Sequence, residues 1–395
     1  MTNLTKARVD PSRLMTSDFV LVCATGGLVF FAAHLLLPTL PLYLLHLGGH
    51  EGDIGLVIGS FYISTLLIRP WSGKWSEKIG PVRVLRMATG LSLLSVIAYN
   101  FAGTILFVVL VRVMHGFGYG TFGTSSNSAV AYLAPVSRRG EALGIFMMTT
   151  IVPLAIGPAI GIGLVSSFGF GALFIAVTII YLASFVMSQF IDRRNQYVPQ
   201  SNNTSKLINT KVLLPGFVGL TTYYTYGLLA SYLAPYAVKK GLENPGLFFG
   251  GYAVFALVVR LFAGKVSDRL GRMAVLIPSL LTVALSMFVL AFSSNSWSIL
   301  VAAILYGLGA GAVYPVLIAL SVDMVGPDER SSAVSPYYAS SDIGQILGGM
   351  LSATLVVTVS MEAAWLAAGT LVLSGLAALI IFGRRFRREN EMGLA

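Results

Sequence analysis

The chain has 395 residues, of which 56% are apolar and only 11% are charged. A soluble domain carries roughly 25% charged residues, so the composition excludes an ordinary soluble protein and predicts that lipid forms part of the solvent. The single cysteine, Cys23, excludes both a disulfide within the chain and a cysteine-based metal cluster. The sequence predicts no cofactor and no metal ion.

Twelve segments are long and apolar enough to cross a bilayer, which takes about 20 mostly apolar residues. The first run begins near Phe19 and is too long for the apolar core of a cleaved signal peptide, so it is interpreted as a retained helix. The predicted spans are roughly 18–45, 53–72, 82–101, 104–133, 140–166, 170–190, 212–238, 246–266, 273–292, 297–322, 333–358 and 363–383.

The longest polar stretch separates the sixth span from the seventh. It runs from Asp192 to Lys211 and is dominated by Asn, Ser, Thr and Gln, a composition typical of a flexible linker. The sequence therefore predicts a six-helix bundle over 1–190, a cytoplasmic linker over 191–211 and a second six-helix bundle over 212–395.

Basic residues orient these spans. With both termini placed in the cytoplasm, the predicted outer loops hold only Lys239 and Lys240, and the other loop lysines and arginines lie inside. Such a bias is typical of cytoplasmic loops. Because the net charge of +10 is spread over these loops, with no aromatic-studded basic groove, nucleic-acid binding is not expected.

The two predicted bundles share an internal repeat. Arg69–Leu85 (RPWSGKWSEKIGPVRVL) matches Arg260–Leu276 (RLFAGKVSDRLGRMAVL) at an offset of 191 residues, and HGFGYG in the fourth span matches YGLGAG in the tenth. Because each half has an even number of spans, the repeats are parallel, related by an axis along the membrane normal. A substrate site at the interface of such repeats is typical of secondary transporters.

These motifs resemble the major facilitator superfamily across nearly the whole chain. The family's loop between spans two and three carries G-x-x-x-D-R-x-G-R-K. The second-half copy is close to complete, whereas the first-half copy has Glu for Asp, and Pro81 and Val82 replace the basic pair. The matching residues are Gly264, Asp268, Arg269, Gly271 and Arg272 in the second half and Gly73, Glu77, Lys78 and Gly80 in the first.

Two further motifs carry the same resemblance. The fourth span, with Arg112, Gly116, Gly118 and Gly120, looks like the family's R-x-x-x-G-x-G motif. The fifth looks like the antiporter motif G-x-x-x-G-P-x-x-G, except that its leading glycine is replaced. Its residues are Gly157, Pro158 and Gly161, with Pro153 at the leading position.

The resemblance implies an all-α polytopic fold of twelve transmembrane helices in two bundles, in a bacterial cytoplasmic membrane and as a monomer. It also implies a conformational latch, by which we mean Gly73, Glu77, Lys78, Gly264, Asp268, Arg269 and Arg272. The glycines of spans four and five, Gly116, Gly157 and Gly161 with Pro158, are interpreted as helix-packing positions because small residues let membrane helices approach closely.

Ionisable side chains deep in a span are costly and usually face a cavity or a partner. On span four, Arg112, His115 and Tyr119 share one helical face. Arg112 keeps its proton at any working pH and is predicted to bind a substrate's polar end. Asp342, the carboxylate nearest mid-membrane, is predicted to carry the coupling proton, with His34 and His115 as further candidates for both substrate and proton binding.

Aromatic and amide side chains complete the predicted substrate site. An aromatic, hydroxyl-rich wall with few charges suits a small amphipathic organic molecule. Its predicted members on spans seven, ten and eleven are Tyr223, Tyr226, Tyr306, Tyr314, Tyr338 and Gln345.

The sequence thus favours a secondary transporter that exports a small organic substrate, amphipathic or anionic, in exchange for protons by alternating access. Proton-coupled uptake, or facilitated diffusion, of a sugar or organic acid is an alternative. A membrane-embedded lipid-modifying enzyme is the alternative of another class, but the sequence offers no paired carboxylates and no Ser/His/Asp set. A nucleotide-driven pump is disfavoured because no G-x-x-x-x-G-K-[ST] loop is present.

Overall fold

The computed structural model describes residues 14–135, 138–192, 212–241, 246–325 and 330–391, and in these ranges it is helical without strands. The predicted all-α class is therefore confirmed. The helices are α1 (Ser17–His46), α2 (Glu51–Ile79), α3 (Pro81–Tyr99), α4 (Ile105–Leu133), α5 (Arg139–Gln189), α6 (Leu213–Lys239), α7 (Gly246–Leu270), α8 (Arg272–Ala291), α9 (Ser296–Asp323), α10 (Arg330–Thr358) and α11 (Met361–Glu391).

The longest helix, α5, covers two predicted spans. It has 51 residues and bends at Gly169, whose φ of 79° and ψ of 175° are not helical. Its arms, α5a (139–168) and α5b (170–189), correspond to the predicted spans 140–166 and 170–190. Glycine permits this bend because a side chain disfavours positive φ. The count of twelve crossings depends on this division and stays a prediction.

Nine stretches among the described residues are long and apolar enough to cross a membrane. Helices α6 and α10 fall outside this set. Both are rich in hydroxyl side chains, including the Thr-Thr-Tyr-Tyr-Thr-Tyr run of α6. A helix with so many polar groups is tolerated at membrane depth when they face protein or a cavity rather than lipid.

Single glycines connect α2 to α3 and α7 to α8. Gly80 has φ 93° and ψ 139°, and Gly271, its partner in the repeat, has φ 91° and ψ 153°. Both turns lie on one side of the bundle, here called the basic face, which the sequence places in the cytoplasm. The opposite side is called the far face. The predicted linker, apart from 191 and 192, lies outside the described residues, so the domain bounds stay predictions.

Glycines on α4 and α9 let the helices of each half pack closely. In the first half, Gly116 and Gly120 face α2, and Gly118 faces α3; a Cβ on Gly120 would lie 2.6 Å from the carbonyl oxygen of Thr65. Real Cβ atoms essentially never approach so closely. The glycines are therefore required by the distance between the helix backbones.

The second half repeats this packing at the same offset. Gly307 and Gly311 face α7, and Gly309 faces α8. A Cβ built on Gly309 would lie 2.5 Å from the carbonyl oxygen of Ser279. The partner positions also repeat. Each of the following pairs is 191 residues apart: Phe61 and Tyr252, Ser64 and Phe255, Thr65 and Ala256.

The two halves, α1–α5 and α6–α11, meet most closely toward the far face, where α2 packs on α10. A Cβ on Gly55 would lie 2.7 Å from the Cβ of Ala353, and one on Gly349 would lie 2.9 Å from Ile58. Lys239 of α6 also forms a 3.1 Å ion pair with Glu51 of α2. These contacts close the far side of the interface between the halves.

The α2–α4 packing makes a prediction with a control in the same helix. Gly120→Ala should lower stability, because the added methyl overpacks a contact and such strain typically costs about 1–3 kcal/mol. Gly123→Ala should be neutral or stabilising, because nothing lies within 4 Å of its Cβ position and alanine is the better helix former. Thermal unfolding of both purified variants in detergent checks this, and equal melting temperatures would contradict the packing argument.

Candidate functional site between the two halves

An ion pair joins the halves within the membrane. Arg69 of α2 places Nη2 3.0 Å from Oδ1 and 2.9 Å from Oδ2 of Asp342 on α10. The Asp342 side chain is only 8% exposed, against 33% for Arg69. At 1.5 Å per residue, Asp342 lies about 18 Å along α10 from its first residue, Arg330, which is near the middle of this 29-residue helix.

Tyrosine and glutamine side chains surround this ion pair. The hydroxyl of Tyr62 on α2 donates a 2.8 Å hydrogen bond to Oε1 of Gln345, one turn beyond Asp342. The ring of Tyr119 on α4 packs against Phe61 of α2, with centroids 5.2 Å apart, and edge-on against Phe30 of α1. Asp342, Gln345 and Tyr119, which the sequence singled out, thus each contact α2.

Arg112 is buried without a counter-ion. Its side chain is 1% exposed, and its Nε and Nη2 atoms have no hydrogen-bond partner among the described residues. The guanidinium carbon lies 4.0 Å from the centroid of the Phe61 ring. Such an arrangement offers a cation–π contact but leaves donors unsatisfied, and a buried charge needs a partner. Arg112 is thus available to bind an anion.

The two histidines lie inside the first half. His115 is fully buried, shares a 2.7 Å hydrogen bond between Nε2 and the Tyr181 hydroxyl of α5b, and contacts Phe61 and Tyr99. The structure therefore brings His115 to the interior of the bundle and not to the interface between the halves. His34 shares a 2.6 Å hydrogen bond between Nδ1 and the carbonyl oxygen of Phe30 in its own helix.

Tyrosines of α6 and α9 form an aromatic cluster in the second half. Tyr223 stacks on Tyr314, with ring centroids 4.4 Å apart and an angle of 15°. Tyr306 is hydrogen-bonded to Thr225 at 3.0 Å. The hydroxyl of Tyr226 is buried without a hydrogen-bond partner among the described residues. Because the hydroxyls of Tyr306 and Tyr314 are 3.5 Å apart, three of the predicted substrate-site tyrosines, Tyr223, Tyr306 and Tyr314, lie in one cluster. The side chain of Tyr338 is outside the described residues.

Sequence reasoning missed four residues at this site. It noted Arg69 and Arg260 only as matching positions of the repeat, and it did not single out Tyr62 or Tyr252. The two arginines could have been recognised from the sequence. Each lies ten residues from the end of a membrane helix, where a guanidinium needs a partner. Within the described ranges, no three His, Cys, Asp or Glu side chains come together as a metal site.

In the described part of the chain, the ion pairs of the latch residues at the basic face stay within one half. Arg272 forms an ion pair with Asp268 and a second one with Asp323 at 2.7 Å, both in the second half. Glu77, Lys78 and Arg269 are exposed. Gly73 and Gly264 have no atom within 4 Å of a built Cβ. A latch across the halves would therefore have to form in another conformer.

The glycines of the antiporter-like motif face α1. A Cβ on Gly157 would lie 2.7 Å from the Cβ of His34, and one on Gly161 would lie 2.5 Å from the carbonyl oxygen of Leu35. Pro158 is buried between them. These positions hold α5a close to α1, and His34 owes its place in part to the missing side chain at Gly157.

A family model described as Major Facilitator Superfamily matches residues 22–259 and 216–393. The chain belongs to this superfamily. It is a multi-pass membrane transporter of small molecules.

Two curated relatives are export or resistance proteins. The chain is 26% identical to the staphylopine export protein of Staphylococcus aureus, over 88% of this chain and 91% of that protein. It is 26% identical to the multidrug resistance protein MdtG of Citrobacter koseri, over 89% and 90%. These names support the predicted transport and efflux class.

Solved transporter structures share the fold. The nucleoside transporter NupG has a TM-score of 0.69 at 16% identity, covering 92% of this chain and 99% of that one. A POT family transporter with a bound thioalcohol-conjugated peptide has a TM-score of 0.77 at 13% identity, covering 93% and 96%. At such identities the likeness shows the major facilitator fold alone.

The contacts at the basic face test the latch. If Asp268 contributes to a latch that forms only when the far side opens, Asp268→Asn should depopulate that conformer. A cysteine replacing Ile58, which is buried against α10, reports far-side opening in a Cys23→Ala background. We expect its labelling by a maleimide to slow about two- to fivefold, since an exposed ion pair contributes about 0–1 kcal/mol.

Glu77→Gln is the matched control for this labelling experiment. Glu77 is exposed, and its half lacks the basic pair at Pro81 and Val82. Neutralising Glu77 should therefore change the labelling rate less than neutralising Asp268 does. Unchanged labelling in Asp268→Asn would reduce the motif to turn and anchor residues.

Proposed function

We propose that this transporter exports a small organic substrate in exchange for protons by alternating access, with both termini in the cytoplasm of a bacterial inner membrane. The single observation that carries the coupling is the ion pair between Arg69 and Asp342. It is the point at which a titratable carboxylate, buried at mid-membrane, connects the two halves.

A proton at Asp342 would compete with Arg69. When Asp342 is charged, it attracts the Arg69 guanidinium and α2 remains fastened to α10. When a proton neutralises Asp342, the attraction is lost while Arg69 keeps its charge at any working pH. The fastening between the halves weakens, and a substrate anion can become the partner of Arg69 instead. Proton binding is thereby linked to movement of one half against the other.

The substrate is proposed to bind between Arg112 and the tyrosine cluster. Arg112 supplies unsatisfied donors for a polar or anionic end, and Tyr223, Tyr226, Tyr306 and Tyr314 supply aromatic faces and hydroxyls. The rigid packing of α4 and α9 on their neighbours lets each half move as a unit. His34 and His115 remain candidates for the coupling proton. They rank behind Asp342 because each is enclosed within the first half.

Export is supported by the relatives, two of which are named for export or drug resistance, and by the antiporter-like motif. Proton-coupled uptake, or facilitated diffusion, of a sugar or organic acid would use the same fold, and transport direction distinguishes it. A lipid-modifying enzyme is the remaining alternative, which lipid turnover by the purified protein would reveal.

Asp342→Asn tests the coupling, because asparagine imitates the protonated carboxyl permanently. We expect transport driven by a pH gradient in proteoliposomes to be abolished, while exchange of labelled for unlabelled substrate without a gradient continues. Asp18→Asn is the matched control, since Asp18 lies at the first turn of α1 and should leave both activities unchanged. Gradient-driven accumulation by Asp342→Asn would place the coupling elsewhere, with His34 tested next.

Arg112→Lys tests the binding role. Lysine keeps the charge but loses the planar fork of donors, so substrate affinity should fall about tenfold, the lower range for a hydrogen bond to a charged group. Arg112→Ala should lose more. Arg83→Lys, at an exposed position near the basic face, should bind as the wild type does. Equilibrium binding measures this, and wild-type affinity in Arg112→Ala would refute the assignment.

A further inference from the structure

Arg260 of α7 lacks the ion pair that its repeat partner has. Arg69 and Arg260 are 191 residues apart, but Asp342, the partner of Arg69, corresponds at the same offset to Ile151 in α5a. Arg260 makes no ion pair with a described residue, and its buried Nε atom has no hydrogen-bond partner there. Its guanidinium carbon lies 6.0 Å from the centroid of the Tyr314 ring.

Arg112 is the matching unpaired cation of the first half. The repeat places Ala303 at its equivalent position, so the guanidinium of Arg112 is not required by the shared scaffold. Arg112 and Arg260 each lack an anionic partner, while Arg69 and Asp342 neutralise each other. The described residues of the site therefore carry two uncompensated positive charges within the membrane, where such charges are costly.

Aromatic side chains lie beside both arginines. The ring of Phe61 lies under Arg112. Tyr314, whose ring is beside Arg260, has its hydroxyl 3.5 Å from that of Tyr306. Tyr306 in turn packs against Tyr252, with ring centroids 5.3 Å apart. The hydroxyls of Tyr226 and Tyr252 are buried without partners among the described residues. Since buried polar groups are normally hydrogen-bonded, these two are placed to contact the middle of a bound molecule.

The arginines also differ in depth. Arg112 is seven residues from the far end of α4, about 10 Å, and Arg260 is fourteen residues from the far end of α7, about 21 Å at 1.5 Å per residue. Each side chain can bind a carboxylate or phosphate through two parallel hydrogen bonds. A single small anion would satisfy only one of them.

We propose that the substrate is an organic dianion, with one anionic group on Arg112, the other on Arg260 and a hydrogen-bonding middle facing Tyr226 and Tyr252. This names the substrate class of the proposed transport function and rests on that function. Arg260 is then a binding residue of the second half, and the missing acid at Ile151 keeps it available.

Dicarboxylates and their monoesters test the charge requirement. The probes are succinate, adipate and suberate with their monomethyl esters, and their binding to the full-length protein in nanodiscs is measured by calorimetry at pH 7.5. We expect at least one diacid to bind about tenfold more tightly than its monoester. Arg260→Gln should reduce that ratio to about one while leaving the monoester's affinity within about threefold.

Three further variants make the result specific. Arg260→Lys should retain part of the discrimination, since it keeps the charge, and Tyr252→Phe should weaken the diacid without abolishing its preference over the monoester. Arg83→Gln, an exposed arginine near the basic face, should leave the ratio unchanged. Melting temperature and gel filtration confirm that each variant is folded.

Three outcomes would overturn the inference: equal affinity for diacid and monoester in the wild type, no saturable binding of any diacid below about 10 mM, or discrimination that persists in Arg260→Gln. Because binding is measured without a proton gradient, it is separate from the coupling test. If the protein prefers diacids over monoesters but does not transport with a proton gradient, only the proposed coupling is refuted. If it transports a monovalent substrate with a proton gradient, only the dianion proposal is refuted.

Discussion

The cost of a charge within the bilayer organises the site of this transporter. An isolated ion there is unfavourable by several kcal/mol, so each buried ionisable side chain must find a partner, a cavity or a ligand. Arg69 finds Asp342 across the interface. Arg112 has no counter-ion among the described residues and lies over the face of Phe61. Arg69 thus joins the two halves, whereas Arg112 is buried within the first half.

Close packing at glycines makes each half of the molecule rigid. The glycines of α4 and α9 bring neighbouring backbones so near that a methyl group would collide with them. Packed interfaces of this kind are not continuously deformable. The same packing repeats in both halves, so both can move as units.

The repeat distinguishes scaffold from function. Positions that shape the backbone recur at 191 residues, among them Gly80 and Gly271 at the turns and Gly116 and Gly307 at the helix contacts. Two of the buried charges do not recur: Arg112 corresponds to Ala303, and Asp342 to Ile151, although Arg69 and Arg260 match. A symmetric scaffold thus bears a partly asymmetric set of charges.

The sequence by itself determined the helical class and the repeat, because apolar length and the spacing of glycines are local properties of the chain. It also singled out Arg112 and Asp342, since a charged residue within an apolar run is visible without a structure. Its division between the predicted spans 140–166 and 170–190 coincides with the bend of α5 at Gly169. Only the tertiary structure decided that Arg69 pairs with Asp342, that His115 is enclosed by Tyr181 and that Arg260 has no ion pair among the described residues. Those relations join residues far apart in the chain, and helix packing alone sets which faces meet.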